Sequence, residues 1–315
     1  MLGLVVLSGP LRELLPIPRP PLGSRSLPRR WTEELVRLCC ATAGGPRHQR
    51  SMTNTTDRFQ RGLEILKQIG GADYDAPLNK LRDLAPDLAR FTVEFAYGDV
   101  LARPGLGLEA RQLCTVAALA GLGNALPQLR YHVNGAFNVG CRPAEVLEVT
   151  ILAAVYAGFP AALNGISAVR EVLQQRGGVP EGAVAAQAAP AAGEERYQRG
   201  LRVLEQVSGR SGAAVLESLK DLAPDLARFI VEFSYGDVIG RSGLDLKLKE
   251  LATVALLTAL GTAQPQLKVH VAAALNVGNS RGEVVEVIQQ MAVYAGFPAA
   301  LNGLAAAREV FEQRG

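Results

Sequence analysis

Two histidines occupy the same position in two matching halves of this sequence. His132 and His270 are 138 residues apart, and apart from His48 near the N-terminus they are the only histidines in the chain. An imidazole changes its charge near neutral pH, so each of the two is a candidate proton donor or acceptor. The alternative is a structural histidine that is hydrogen-bonded beside an apolar helix face.

Glutamates that could act as general acids recur at the same spacing, and each is followed by a tyrosine that could bind a substrate. Glu94 and Glu232 each lie in a Phe-x-Val-Glu-Phe segment, and Tyr97 and Tyr235 follow one helical turn later. A carboxyl group held against aromatic rings has its pKa raised by desolvation, which suits a general acid. Alternatively, each glutamate pairs with the arginine four residues before it.

Four basic residues recur as two pairs and are candidates to bind a carboxylate of a substrate. They are Arg103 with Arg241, and Arg111 with Lys249. Arginine and lysine bind carboxylates through charge-assisted hydrogen bonds. The alternative is that these cations are solvated or paired with acidic side chains, as cations at helix ends commonly are.

The spacing of 138 holds without a gap over 121 residues. Residues 57–177 align with residues 195–315, and 71 of the 121 positions are identical. A gapless match of this length indicates a tandem duplication of one domain. The predicted segments are an N-terminal tail (1–51), a first domain (52–177), a linker rich in Ala, Gly and Pro (178–194) and a second domain (195–315).

The composition excludes several classes of protein. With 48% hydrophobic and 20% charged residues, each copy is long enough to bury a core. The first 50 residues hold eight arginines and three acidic residues, which leaves 25 basic and 27 acidic residues in the rest. The folded part therefore has no basic surface for nucleic acid. No apolar run has the length of a membrane span.

The four cysteines predict reduced thiols in a cytoplasmic protein. They include no Cys-x-x-Cys pair, and the second copy has Ala252 and Asn279 where the first has Cys114 and Cys141. The tail, 1–51, is rich in Arg, Ser and Pro, which predicts a disordered segment. An organelle transit peptide is the alternative for this tail.

The hydrophobic pattern predicts an all-α fold with five to six helices in each copy. Apolar residues recur at helical spacing, and glycine or proline interrupts each run. A helix that begins near Pro86 is predicted to end at Gly98. The later helices of the first copy are predicted at 108–122, 128–139, 145–156 and 161–175.

Several of these motifs, in one order, resemble the carboxymuconolactone decarboxylase family, a branch of the alkylhydroperoxidase D-like superfamily. The resemblance covers residues 57–175 and 195–313. The motifs in the first copy are the segment 98–106, Arg111-Gln112-Leu113, Leu129-x-x-His132, the spacing of Gly140, Glu145 and Glu148, and Tyr156-Ala157-Gly158-x-Pro160.

The resemblance implies a helical protomer that assembles into rings or hexamers with pockets between protomers. Two fused copies would act as a built-in dimer, so the expected homo-oligomer is a trimer of two-domain chains that forms a pseudo-hexamer. The superfamily's peroxidase branch uses Cys-x-x-Cys beside the histidine. Both copies lack these thiols, so thiol-based peroxide reduction is not expected.

The resemblance also implies a difference between the copies. The glutamate that relays protons to the histidine in the superfamily corresponds to Glu250 in the second copy and to Gln112 in the first. Gln112 is a candidate to bind a substrate through hydrogen bonds, but a glutamine cannot carry a proton. The asymmetry predicts one catalytic and one degenerate copy, or a composite site to which both copies contribute.

The reaction implied by the resemblance is that of a carbon–carbon lyase of aromatic catabolism, acting on a small anionic lactone. No metal, flavin or pyridoxal cofactor is implied, because the conjugated ring takes up the electrons left by departing carbon dioxide. Two alternatives stay open. The chain would otherwise be another proton-transfer enzyme, such as a lactone hydrolase or isomerase, or a non-catalytic oligomeric binding protein.

Overall fold

The described part of the chain is helical. A computed structural model describes residues 46–180 and 195–315, and the side chains of 57–180, 195–209 and 211–315. These residues contain no β-strand, so the predicted all-α fold is confirmed. The predictions for residues 1–45 and for linker residues 181–194 lie outside the described residues.

Each copy contributes six principal helices in the same order. In the first copy they are α1 (Pro46–Gly70), α2 (Pro86–Phe91), α3 (Leu108–Leu122), α4 (Leu126–Asn138), α5 (Pro143–Tyr156) and α6 (Phe159–Gln175). In the second copy they are α7 (Arg196–Glu217), α8 (Pro224–Phe229), α9 (Leu246–Leu260), α10 (Gln264–Asn276), α11 (Arg281–Tyr294) and α12 (Phe297–Glu312). Single turns at Gly71–Asp73 and Ala76–Asn79 separate α1 from α2.

Helix α2 continues as a π-helix, Thr92–Leu101, and α8 continues as its counterpart, Ile230–Ile239. The amide of Ala102 donates to the carbonyl of Tyr97, five residues earlier, at 2.9 Å. The prediction that this helix ends at Gly98 is therefore wrong. Gly98 instead allows α1 to approach closely, because a Cβ there would lie 2.5 Å from the carbonyl oxygen of Arg58.

The centre of the molecule is the packing of α3 against α9, one helix from each copy. A Cβ at Gly121 would lie 2.8 Å from Cγ of Leu256, so the glycine allows the two helices to approach closely. One continuous apolar core includes residues of both copies, and Asp57–Gly315 forms a single compact unit. The domain limits at 52–177 and 195–315 stay a prediction. None of the described helices combines the length and apolarity needed to cross a membrane.

The fifth helix of each copy reaches into the other copy. Helix α5 packs against α9 and the second π-helix, and α11 packs against α3 and the first π-helix. The C-terminal end of α5 carries Tyr156, and that of α11 carries Tyr294. This exchange brings each of these tyrosines to the histidine of the opposite copy.

Buried ion pairs join the two copies at the same crossing. Glu286 on α11 accepts hydrogen bonds from Arg103 and Arg111 of the first copy, at 2.7 Å each. Glu148 on α5 pairs with Arg241 at 2.9 Å and with Lys249 at 3.2 Å. A substrate carboxylate would therefore have to compete with Glu148 or Glu286 for these four candidate cations.

The charge of Glu286 is maintained by its partners. Burial alone would raise the pKa of its carboxyl group. Hydrogen bonds and charge from Arg103 and Arg111 outweigh burial and hold the pKa of Glu286 below its ordinary value. Glu286 is thus ionised at neutral pH, and the pairing is a true ion pair.

The buried cations Lys249 and Arg111, which occupy equivalent positions in the two copies, have different sets of hydrogen-bond acceptors. The three ammonium donors of Lys249 are matched by Glu148 and two main-chain carbonyls. Arg111 has five donors, and the side chain of Gln290 supplies one further acceptor at 3.1 Å. Leu152 occupies the position equivalent to Gln290 in the first copy. The polar residue is thus present only where the cation has donors left to satisfy.

Candidate functional site

The second histidine lies in a chain of hydrogen bonds that crosses between the copies. Nδ1 of His270, on α10, is 2.8 Å from Oε2 of Glu250, on α9. Nε2 of His270 is 3.1 Å from the hydroxyl oxygen of Tyr156, at the end of α5 in the first copy. We call Glu250, His270 and Tyr156 the Glu250 site. It is enclosed, since His270 is 5% exposed and Glu250 is fully buried.

The roles of donor and acceptor follow from the chemistry of the three groups. A carboxylate only accepts, so Nδ1–H of His270 donates to Glu250. Burial, and secondarily the charge of Glu250, raises the pKa of Tyr156 well above its ordinary value, so the phenol stays protonated. Its O–H donates to Nε2 of the neutral imidazole and accepts from Nε2–H of the imidazolium. The arrangement can therefore move a proton between His270 and Tyr156.

Tyr235 lies beside the Glu250 site and is held by Ser208. Their two hydroxyl oxygens are 2.6 Å apart. Burial raises the pKa of Tyr235 to about 12 despite this hydrogen bond, and the charge of Glu250 adds to the shift. Tyr235 is thus a neutral phenol near the proton-transfer chain, and its hydroxyl already has a partner.

The first histidine has a related arrangement without the carboxylate. Nδ1 of His132, on α4, is 2.9 Å from Oε1 of Gln112, on α3. The ring of Tyr294, from the second copy, lies edge-on to His132 with the ring centroids 5.2 Å apart. We call Gln112, His132 and Tyr294 the Gln112 site. Burial lowers the pKa of His132 to about 3, so this imidazole is neutral at physiological pH.

Lowering the pH should destabilise the protein through His132. Its pKa falls from 6.5 to about 3 on folding, so the unfolded chain binds the proton first as the pH drops. The stability that this residue contributes is complete above pH 6.5 and is lost at about 1.4 kcal/mol per pH unit towards pH 3. Urea unfolding of the parent and of His132→Gln between pH 7.5 and 4.5 measures this effect. We expect a steeper loss in the parent, and parallel profiles would contradict the assignment.

The two glutamates predicted as general acids have arginine partners instead of histidine partners. Oε2 of Glu94 accepts from Arg90 at 3.1 Å, and Oε2 of Glu232 accepts from Arg196 at 3.3 Å. Within the described residues, no hydrogen bond or ion pair joins either glutamate to a histidine. The ion-pair alternative thus describes both glutamates, since Glu232 also lies 3.8 Å from Arg228, four residues before it. A role in proton transfer stays a prediction for both.

The cysteines of the first copy are buried thiols. Cys114 and Cys141 are free, and burial raises the pKa of each to about 12. A thiol with so high a pKa is not a nucleophile at neutral pH. The described residues also contain no cluster of three or more His, Cys, Asp or Glu side chains able to hold a metal ion.

Open surface clefts lie at equivalent places in the two copies, away from the histidines. The larger, of about 570 Å³, lies between α9 and α10 beside Gln206, and the smaller, of about 450 Å³, lies beside Gln68. Neither is lined by a residue of the Glu250 site or the Gln112 site. Tyr156 and Tyr294, at the ends of α5 and α11, are the partly exposed members of the two sites.

The sequence did not identify the tyrosines as parts of these sites. Tyr156 and Tyr294 end equivalent helices and precede an Ala-Gly-Phe-Pro break, and neither was among the candidate site residues. Their contacts are with residues more than 100 positions away in the other copy. The only available signal was their identity in both copies. Ser208 and Tyr131 carried no such signal, because the opposite copy has Gly70 and Val269 there.

Each copy of the chain matches the same protein family. The model for the carboxymuconolactone decarboxylase family matches residues 86–171 and 224–309. The chain is 37% identical over 129 residues to 4-carboxymuconolactone decarboxylase of Acinetobacter baylyi, a match that covers 41% of this chain and 96% of that protein. It is 30% identical over 118 residues to nitrosuccinic acid decarboxylase of Metarhizium robertsii, covering 36% of this chain and 80% of that protein. The chain thus belongs to the carboxymuconolactone decarboxylase family and carries the family's domain twice.

Proposed function

We propose that the chain is a decarboxylase of a small anionic acid and that the Glu250 site transfers the proton. The observation that carries this proposal is the unbroken hydrogen-bond chain from Glu250 through His270 to Tyr156. The reaction class is supported by membership of the family and by two relatives that are named as decarboxylases.

The proposed reaction begins with loss of carbon dioxide from a carboxylate of the substrate. The carbon–carbon bond breaks, and its electron pair moves into a conjugated carbonyl or an equivalent electron acceptor of the substrate. The enclosed surroundings of His270 favour this step, because a carboxylate that binds there loses its hydration shell, and the loss of carbon dioxide removes that desolvated charge from the carboxylate. No external electron acceptor is required.

The second step is protonation of the carbon that has gained the electron pair. Glu250 stabilises the imidazolium form of His270, so His270 can hold the proton at Nε2. Tyr156 lies next to Nε2 and stays protonated, which makes its hydroxyl a relay towards the substrate. Tyr156 gives its proton to the carbon and takes one from His270. Solvent then returns a proton to His270.

The substrate class is a small acid of the kind named for the relatives, namely carboxymuconolactone or nitrosuccinic acid. We expect recognition to come from neutral donors at the copy junction rather than from the cations. Arg103, Arg111, Arg241 and Lys249 are already paired with Glu148 and Glu286, so displacing either glutamate would leave it buried without a partner.

Product analysis separates this proposal from its alternatives. The purified chain would be incubated with carboxymuconolactone and, separately, with nitrosuccinate, while carbon dioxide and organic products are quantified. Carbon dioxide equal to the substrate consumed supports a decarboxylase. A ring-opened acid or a rearranged acid without carbon dioxide would indicate a lactone hydrolase or an isomerase. Unchanged acids that nevertheless bind would indicate a binding protein and would contradict the proposal.

We also propose that the chain forms a homo-oligomer, with a trimer of two-domain chains as the expected form. Large apolar side chains are exposed at equivalent places in both copies, and contacts between chains would bury them. The pairs are Leu84 and Leu222, Leu88 and Leu226, Phe91 and Phe229, Phe159 and Phe297, and Leu163 and Leu301. A set of exposed apolar residues that occurs twice on one chain allows identical contacts to close into a ring.

Light scattering of the parent and of a Leu163→Asp, Leu301→Asp double variant tests the oligomer. Both leucines are more than 60% exposed, so the substitutions should leave the fold of the single chain intact. We expect the mass of three chains for the parent and of one chain for the variant. A monomeric parent would contradict the proposal.

The enzyme is further proposed to act in the cytoplasm, where its free cysteines would stay reduced.

A further inference from the structure

The Gln112 site is surrounded by buried hydrogen-bond donors that have no partner. They are the side-chain nitrogen of Gln112 and the hydroxyls of Tyr131 and Tyr294. The neighbouring hydroxyls of Tyr97, beside Tyr131, and of Thr115, beside Tyr294, interact with them but lie beyond hydrogen-bond distance. All three residues border His132: Gln112 is hydrogen-bonded to it, and both tyrosine rings lie edge-on to it at 5.2–5.3 Å. A buried donor without a partner is costly, so a cluster of three indicates an acceptor that binds there.

The Glu250 site has the opposite hydrogen-bonding character. Its unpartnered buried atoms are Oε1 of Glu250 and the hydroxyl of Thr253, whereas the hydroxyls of Tyr156 and Tyr235 both have partners. Glu250 is an acceptor, and its charge adds to the rise in pKa that burial causes in both tyrosines. The duplication has therefore produced one site with an unpartnered carboxylate oxygen and one site with an unpartnered amide and two unpartnered phenols.

The position of Tyr131 depends on a matched exchange between the copies. A Cβ at Gly70 would lie 2.7 Å from the hydroxyl oxygen of Tyr131, so a larger residue at position 70 would displace that hydroxyl. The second copy has Ser208 at the position of Gly70 and Val269 at the position of Tyr131. The first copy thus carries both changes needed to place an extra donor beside His132.

The electrostatic surroundings of the Gln112 site favour an anion. Burial raises the pKa of Tyr294, and the Thr115 hydroxyl, with a weaker contribution from the charge of Arg111, opposes the rise. Tyr97 adjoins the same cluster, and burial together with Tyr131 and Tyr294 raises its pKa well above the ordinary value. The surrounding phenols therefore stay neutral donors, and Gln112 adds no negative charge.

We propose that the Gln112 site is a second ligand site, which binds a carboxylate of a small acid through the amide of Gln112 and the hydroxyls of Tyr131 and Tyr294. It holds the acid without turning it over, because Gln112 cannot carry a proton and neutral His132 has no carboxylate beside it. The choice of ligand rests on the proposed function, since the ligand would be the substrate, the product or an acid of similar shape.

Histidine NMR measures this site separately from the Glu250 site. The chain has three histidines, so a sample labelled at histidine gives three sets of imidazole signals, which His132→Gln and His270→Gln variants would assign. Succinate serves as the probe because it is a stable dicarboxylate, and succinamide is its uncharged counterpart. The NMR titrations with succinate and with succinamide do not depend on release of carbon dioxide.

We expect succinate to shift the His132 signals to a plateau and succinamide to leave them unchanged. In Tyr131→Phe, the dissociation constant reported by His132 should rise by roughly tenfold or more, as expected for a lost hydrogen bond to a charged group. Tyr197→Phe, which changes an exposed tyrosine, should bind as the parent does.

Three results would overturn the proposal: an unshifted His132, an equal response to succinamide, or parent-like binding in Tyr131→Phe. The outcome is independent of the proposed function. If the chain binds succinate at His132 but releases no carbon dioxide from the tested acids, the proposed second site is supported and the proposed decarboxylase activity is contradicted.

Discussion

Replacing Glu250 by glutamine is expected to slow decarboxylation by roughly two to four orders of magnitude, the usual contribution of a positioned acid or base. The substitution gives the second copy the pairing that the first copy has naturally. Gln112 lies 2.9 Å from Nδ1 of His132, against 2.8 Å for Glu250 and His270. The hydrogen bond should thus survive while stabilisation of the imidazolium is lost.

A matched substitution distinguishes loss of chemistry from loss of structure. Glu309 lies in the same copy, is paired with Lys268 and is 53% exposed at its side chain, so Glu309→Gln should alter turnover by less than about twofold. The initial rate of carbon dioxide release and the melting temperature would be measured for both variants. A fall in rate that merely follows a fall in melting temperature would argue against a role in proton transfer.

Replacing Lys249 by methionine is expected to lower the free energy of unfolding by about 1.5–3 kcal/mol, the usual contribution of a hydrogen bond to a charged group, because Arg241 remains to pair with Glu148. Burial lowers the pKa of Lys249 even though Glu148 opposes the shift, which shows how strongly the charge is desolvated. The variant leaves Glu148, which is 2% exposed at its side chain, with Arg241 as its remaining partner. The contact that is lost is the fully buried one between the two copies.

Lys247 provides the control for this measurement. It lies two residues away on the same helix and pairs with Glu283 at 2.9 Å, but its side chain is 45% exposed. Lys247→Met should therefore change the free energy of unfolding by less than about 1 kcal/mol. Urea unfolding of the parent and both variants gives the comparison. Equal losses in the two variants would mean that the buried pairing contributes no special stability.

Much of the fold was predictable because it depends on local signals. The helix 108–122 and its end at Gly123 were predicted and are confirmed, since a left-handed glycine with φ of 67° ends the helix. The π-helix was not predicted. Its i to i+5 hydrogen bonds arise where Gly98 packs against α1, and periodicity does not reveal this contact.

The candidate site was predictable only in part. The resemblance identified Glu250 and His270 as partners, and the structure places them in contact. It also identified the change to Gln112 in the first copy. The third member, Tyr156, depends on how α5 crosses to the other copy, and this is a property of tertiary packing.

The partners of the four basic residues could not be predicted from the sequence either. Arg103, Arg111, Arg241 and Lys249 have the chemistry to bind a substrate carboxylate, and the sequence contains no sign of which acid they contact. The structure gives each of them a glutamate from the opposite copy. Charge and spacing therefore predicted carboxylate binding, but the carboxylates belong to the protein.

The most direct test of the proposed decarboxylase is the rate of carbon dioxide release by His270→Gln compared with that by His132→Gln. Both substitutions remove a buried imidazole from equivalent positions on α10 and α4, so effects on folding should be similar. We expect the loss of turnover to be at least about tenfold greater for His270→Gln, because only His270 has a carboxylate partner. Equal losses, or a greater loss for His132→Gln, would contradict the assignment of proton transfer to the Glu250 site.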